Sequence, residues 1–150
     1  MKANVIKNII YSNLNQKSLL LDLYLPKTIN AKIPVILYLH GGAWKIGSKD
    51  DSKEVSTVYK RLVDNGYAVA VINYYLSGEA IFPAQIIDCK SAVRYLRASA
   101  DKYNLDSSKI GVWGRSAGAH LANLLGTTGN TSCQSAGLYS YENKGGKHYL

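Results

Sequence analysis

The chain has only two cysteines in 150 residues, Cys89 and Cys133. They lack CxxC spacing, so no thiolate zinc site is expected; the two could pair, but Cys89 falls on a helix face and reads more simply as a buried thiol. Three histidines, equally dispersed, add no metal-ligand pattern, and no cofactor motif is present. Proline is scarce, at three residues, so no proline-rich linker divides the chain. No apolar run approaches the ~18 residues that cross a bilayer. The opening MKANVIKNIIYSNLNQ has neither a signal-length apolar core nor a small-residue cleavage site. The expectation is a cytoplasmic protein without a membrane partner.

Acidic residues are also few, ten against 18 basic ones, giving a net charge of +8. The basic residues are scattered, with no stripe or run of the kind that binds nucleic acid, so no nucleic-acid partner is expected. Hydrophobic residues make up 47% of the chain, ample for one packed domain.

Short β-rich runs alternate with helical spacing, which predicts an α/β fold with a mainly parallel sheet and helices on both faces. Residues 4 to 11 and 18 to 25 read as an antiparallel N-terminal hairpin joined across Asn13-Leu14-Asn15. After Pro34, VILYLH is an apolar run suited to a strand buried on both faces. Residues 52 to 64 have helical spacing at Val55, Val58, Tyr59 and Leu62, with Asn65-Gly66 as a C-cap. YAVAVINYY predicts another buried strand.

Phe82-Pro83 opens a helix with proline in its first turn, its apolar face at Ile86, Cys89, Val93 and Leu96. Asn104-Leu105-Asp106 breaks that helix, KIGVWG gives a strand, and AGAHLANLLG a further helix. Residues 1–128 form the domain; 129–150 read as an irregular tail.

Two stretches carry chemistry. Gly114-Arg115-Ser116-Ala117-Gly118 sets a serine between glycines, after a strand and before a helix. That context produces a sharp turn with the serine hydroxyl projecting above the sheet edge. His40-Gly41-Gly42-Ala43-Trp44 directly follows the VILYLH strand. Acyl transfer builds negative charge on a carbonyl oxygen, and main-chain amides aimed at it stabilise the transition state by about 3 kcal/mol each. The amides around Gly42 and Ala43, with that of Ala117, are candidates for this oxyanion hole.

These motifs, with the block INYYLSGEAIFPAQIIDCKSAVRYLRASADKYNLDSSKIGVWGRSAGAHLANLLGTTG, resemble the α/β-hydrolase esterases and lipases. The similarity is to the bacterial group related to hormone-sensitive lipase and to feruloyl-esterase-like enzymes, over residues 5 to 129. The resemblance implies a serine hydrolase of short-chain or aromatic carboxylic esters with Ser116 as nucleophile. It places Gly41, Gly42, Ala43 and Ala117 at the oxyanion and Trp44 in the substrate pocket wall. His40, Gly114, Gly118 and His120 then take structural roles beside the site. Two positions depart from the pattern: Arg115 replaces a small or acidic residue, and Tyr75 replaces an arginine that forms an ion pair in relatives.

The resemblance also implies an acid and a histidine after the nucleophile, in that order. Only Glu142 and His148 meet the order, and both come too early, since a β/α unit needs about 30 residues. The expectation is a hydrolase cut short before its acid and base, with self-association through the sheet edge beyond Ile110–Trp113. Two other functions remain open. SAGAHLA also fits an amidase resembling kynurenine formamidase, and an elbow without a triad would make the chain a non-catalytic binding remnant.

Overall fold

The computed structural model describes residues 4–14, 17–27, 31–51 and 53–128. The expected tail, with Glu142, His148 and Cys133, lies outside the described residues, as does Asn15 of the hairpin turn. The elements run β1 (Asn4–Leu14), β2 (Lys17–Leu25), β3 (Ile33–Leu39), α1 (Lys53–Asp64), β4 (Ala68–Ile72), α2 (Ala84–Ala98), β5 (Leu105–Gly114) and α3 (Ala117–Thr127). The five strands form one mixed sheet in the order β1-β2-β4-β3-β5. Strands β3, β4 and β5 are parallel, and the β1–β2 hairpin joins antiparallel through β2 to β4.

Side-chain alternation along β3 and β4 divides the apolar residues between two layers. Val35, Leu37 and Leu39 of β3 and Ala68, Ala70 and Ile72 of β4 face Ile86, Cys89, Ala92 and Leu96 of α2 and Leu121 of α3. Their neighbours Tyr38, Val69 and Val71 face Tyr59 and Val63 of α1. The central strands are thus covered on both sides, as their continuous apolar runs require. Tyr59 lies edge-on to Tyr38, and Tyr38 edge-on to Trp113 of β5. Trp113 is 40% exposed, and β5 borders the sheet among the described residues, where the self-association edge was expected.

Three boundaries differ from the sequence expectation. Strand β4 ends at Ile72, because Asn73 and Tyr74 turn to contact the loop after β3 and Tyr75 gives its amide to Asp88. Pro83 stands at the N-cap of α2 rather than inside its first turn. Leu105 and Asp106 belong to β5: Leu105 pairs with Ile33, and the preceding Asn104 turns in the left-handed region at φ 54°.

The apolar run LLLDLYL hides a charge. Asp22 is 1% exposed and accepts the Asn8 amide at 2.8 Å, where β1 bulges. Lys49, 4% exposed, reaches down from the loop after β3 to Asp22 at 3.0 Å and also touches Asp50. Burial opposes the Lys49 ammonium, but Asp22 and Asp50 outweigh it and hold its pKa above the ordinary lysine value. Breaking one side of such a pair leaves the other charge buried and alone. Asp22→Ala is therefore expected to lose roughly 3–5 kcal/mol in urea unfolding, and the apolar double replacement Asp22→Leu/Lys49→Met distinctly less.

Candidate active site at the ends of β3 and β5

Strands β3 and β5 run parallel with Leu39 opposite Gly114, so their carboxyl-end loops emerge side by side. From β5 the chain turns through Arg115 and Ser116 into α3. Ser116 is the N-cap of α3, at φ 52° and ψ −118°. A non-glycine residue held there is strained by about 1–3 kcal/mol, a cost found where a side chain must be aimed. The turn is closed by Arg115 N donating to the Leu39 carbonyl at 3.3 Å and by Gly118 N donating to the Arg115 carbonyl at 2.9 Å.

Two glycines allow this corner to sit against β3. A methyl group on Gly118 would lie 2.1 Å from the Leu39 oxygen, and one on Gly114 would lie 2.2 Å from the Gly118 oxygen. Gly41 packs against the turn from the other side: a β-carbon there would be 3.4 Å from Ser116 Cβ and 2.9 Å from the Arg115 oxygen. The structure thus brings Ser116, Gly41, Gly114 and Gly118 together.

The loop after β3 is itself unusual. Gly42, Ala43 and Trp44 follow one another in the left-handed region, at φ 116°, 53° and 59°. The Gly42 carbonyl accepts the Lys45 and Ile46 amides, both at 3.0 Å. Ala117 is the first residue of α3, so its amide has no partner within the helix. A cleft of about 710 Å³ opens here, lined by His40, Gly41, Gly42, Ala43, Arg115 and Ser116 among others.

His40 is 6% exposed, stacks on Tyr74 at 4.2 Å, and contacts the Gly41 carbonyl through Nδ1 at 2.7 Å. That contact requires the proton on Nδ1, leaving Nε2 as an acceptor with no hydrogen-bond partner among the described residues. Burial pushes the His40 pKa below 6.5. His120, on the exposed side of α3, sets its ring edge-on to Trp44 at 5.4 Å. Trp44 is 37% exposed. Arg115 is exposed on the cleft wall.

The sequence reading missed the segment after β4. Tyr74 donates its hydroxyl to the His40 carbonyl at 2.7 Å, Ser77 N donates to the Trp44 carbonyl at 2.7 Å, and Lys49 N donates to Asn73 Oδ1 at 2.7 Å. Asn73 and Tyr74 were absorbed into a predicted strand. The polar residues inside its apolar run were the available signal. Among the described residues, no group of His, Cys, Asp and Glu is placed to hold a metal, and no helix is long and apolar enough to cross a membrane.

Gly118→Ala drives a methyl into backbone and is expected to abolish cooperative folding or cost several kcal/mol, of the order of severe overpacking. Gly126→Ala in the same helix meets open space and is expected to gain about 0.5–1 kcal/mol in chemical unfolding. For His40, the folded protein resists the proton that the unfolded chain accepts near pH 6.5. The advantage of wild type over His40→Asn is therefore complete above that pH and shrinks as the pH falls through the lower folded value. Paired unfolding curves from pH 8 to 5 measure that narrowing.

Comparison with known proteins places the chain among esterases. The BD-FAE family matches residues 21–148. Esterase LipC of Mycobacterium tuberculosis is 37% identical over 112 residues, which cover 74% of this chain and 27% of that protein. Arylesterase of Saccharolobus solfataricus is 34% identical over 89 residues, 58% of this chain and 28% of its own length. Among solved structures, a bifunctional GH43-CE protein of Bacteroides eggerthii superposes with a TM-score of 0.76 at 39% identity, covering 93% of this chain and 19% of that one. Est2, an esterase of Thermogutta terrifontis, gives a TM-score of 0.70 at 25% identity over 81% of this chain and 43% of its own. The chain spans between 22% and 32% of the length of the curated relatives it matches. On the match over residues 21–148 and the shared fold, the chain belongs to the BD-FAE family of α/β-hydrolase esterases.

Proposed function

We propose that this chain carries the nucleophile and oxyanion half of a serine hydrolase acting on carboxylic esters of short-chain or aromatic acids. One observation carries the reading: Ser116 is held at φ 52° on a strand-to-helix corner, with Gly41 of the neighbouring loop packed directly against it. In the reaction the Ser116 hydroxyl attacks the ester carbonyl. The amides of Ala117 and of the Gly42–Ala43 region hold the developing oxyanion. A histidine takes the serine proton and returns it to the leaving alcohol as the acyl-enzyme forms; water then releases the acid.

His40 and His120 do not fit the proton carrier. His40 is committed through Nδ1 to its own loop, and His120 lies on α3 against Trp44. The base and its acid are therefore assigned outside the described residues, where Glu142 and His148 are the chain's own candidates. The short-acyl preference draws support from Est2, which has been solved with butyrate bound and with propionate bound. The serine mechanism draws support from the same protein, which has been solved phosphorylated by paraoxon.

A fluorophosphonate probe, followed by peptide mapping, tests the nucleophile. Labelling at Ser116 that disappears in Ser116→Ala is the expected result. A folded wild-type chain that resists the probe, or labelling that survives the substitution, contradicts it. Turnover of an aryl acetate against an N-formyl aromatic amine separates ester from amide hydrolysis. Without an effective base, the expected ester rate is only about 10³ above water.

A further inference from the structure

Asp88 is buried in α2 with 1% exposure, far along the chain from the loop after β3, yet a short relay of hydrogen bonds joins them. Its Oδ2 accepts the Tyr75 amide at 2.9 Å. Tyr75 is the middle residue of the segment Asn73–Ser77, which grips the loop after β3 at the three points already described. Asn73 supports the segment from below, donating its amide to the Leu20 carbonyl at 2.9 Å and accepting the Tyr11 hydroxyl at 2.5 Å.

We propose that Asp88 is a positioning residue for the oxyanion loop, fixing residues 41–47 through the Tyr75 amide and the Asn73–Ser77 brace. The inference rests on the reading of that loop as the oxyanion site. A merely structural core position would need no carboxylate, and an apolar side chain would fill it without a buried charge. Here the carboxylate satisfies a backbone donor that has left the β4 ladder. Removing the acceptor leaves that N–H buried and unmet, a cost that falls first on the brace.

The surroundings of Asp88 make the device sensitive to pH. Burial pushes its pKa up to about 7; the Tyr75 N–H and Lys17 pull it down, and Glu79 pushes it up. Lys17 of β2 lies 5.0 Å from the Tyr75 ring centroid and is ion-paired with Glu79. Glu79 in turn accepts the Leu76 amide at 2.9 Å. Tyr11 of β1 and Cys89 of α2 are further titratable neighbours among the described residues, and burial raises the pKa of both. Between the ordinary carboxylate value of 3.8 and about 7, the closed brace binds a proton that an opened one releases. Closure is therefore firmest at low pH and weakens as the pH rises through about 7.

Hydrogen–deuterium exchange on the full chain, corrected for intrinsic amide rates, reads this directly. In Asp88→Ala, amides 75–77 and 41–47 are expected to lose protection together by roughly tenfold or more, while Val35–Leu39 of β3 keep theirs. Wild-type protection of the same loop should fall between pH 5 and 7, approaching tenfold per pH unit where one proton is linked. Asp88→Asn, which preserves an acceptor oxygen but cannot ionise, should keep the loop protected with a flat profile. The proposal is overturned if Asp88→Ala spares 41–47, if it loosens β3 and β4 equally, or if Asp88→Asn retains the pH step. Should Asp88→Ala not fold, the Asp88→Asn profile decides alone. Probe labelling of Ser116 is scored separately, so an inert serine counts against the hydrolase reading and leaves the exchange result to judge the brace.

Discussion

The arrangement depends on how closely two backbone segments approach each other. The turn from β5 into α3 lies against the end of β3 with only hydrogen atoms between Gly118 and the Leu39 carbonyl, and between Gly114 and the Gly118 carbonyl. Any side chain at either position would push α3 away from the sheet. Ser116 would move with it, away from the loop that starts at Gly41. The strained backbone at Ser116 persists because the surrounding contacts over-determine it. The parallel register of β3 and β5 sets the level at which both loops emerge.

Keeping the loop after β3 in place is a separate problem, since three successive left-handed residues resist collapse only if held. The fold holds them through polar groups at an apolar interface. Lys49 is drawn down to Asp22, Tyr74 takes the His40 carbonyl while stacking on its ring, and Ser77 ties the Trp44 carbonyl. Each contact replaces water for a backbone or charged group that the sharp turn would otherwise strand. The buried polar groups Asp22, Lys49 and Asp88 all belong to this support.

The sheet, its helices and the two loops were legible in the sequence because their signals are local. Apolar runs marked β3 and β4, helical spacing marked α2, and Gly-x-Ser-x-Gly between a strand and a helix marked the corner. The supports were less legible because each joins residues distant in the chain. Asp22 interrupts LLLDLYL and Asp88 sits beside Cys89 on the buried face of α2, but nothing near them in sequence names Lys49 or the Tyr75 amide as partner. The end of β4 was misread for the same reason: Asn73, Tyr74 and Tyr75 have strand-like composition, and only tertiary contacts draw them out of the ladder. At β5, the left-handed Asn104 turned a sequence that reads as a break into the start of a strand.

Direct cross-linking gives the clearest test of the contact between Gly41 and Ser116. A β-carbon on Gly41 falls 3.4 Å from Ser116 Cβ, close to the ~3.8 Å typical of a disulfide, and 2.9 Å from the Arg115 carbonyl oxygen, a backbone contact that must shift to admit it. In a chain freed of Cys89 and Cys133, the pair Gly41→Cys and Ser116→Cys is predicted to form an intramolecular disulfide under mild oxidation, identified by mass spectrometry of the 41–116 linked peptides. A folded double variant whose two thiols stay free under those conditions would contradict the account.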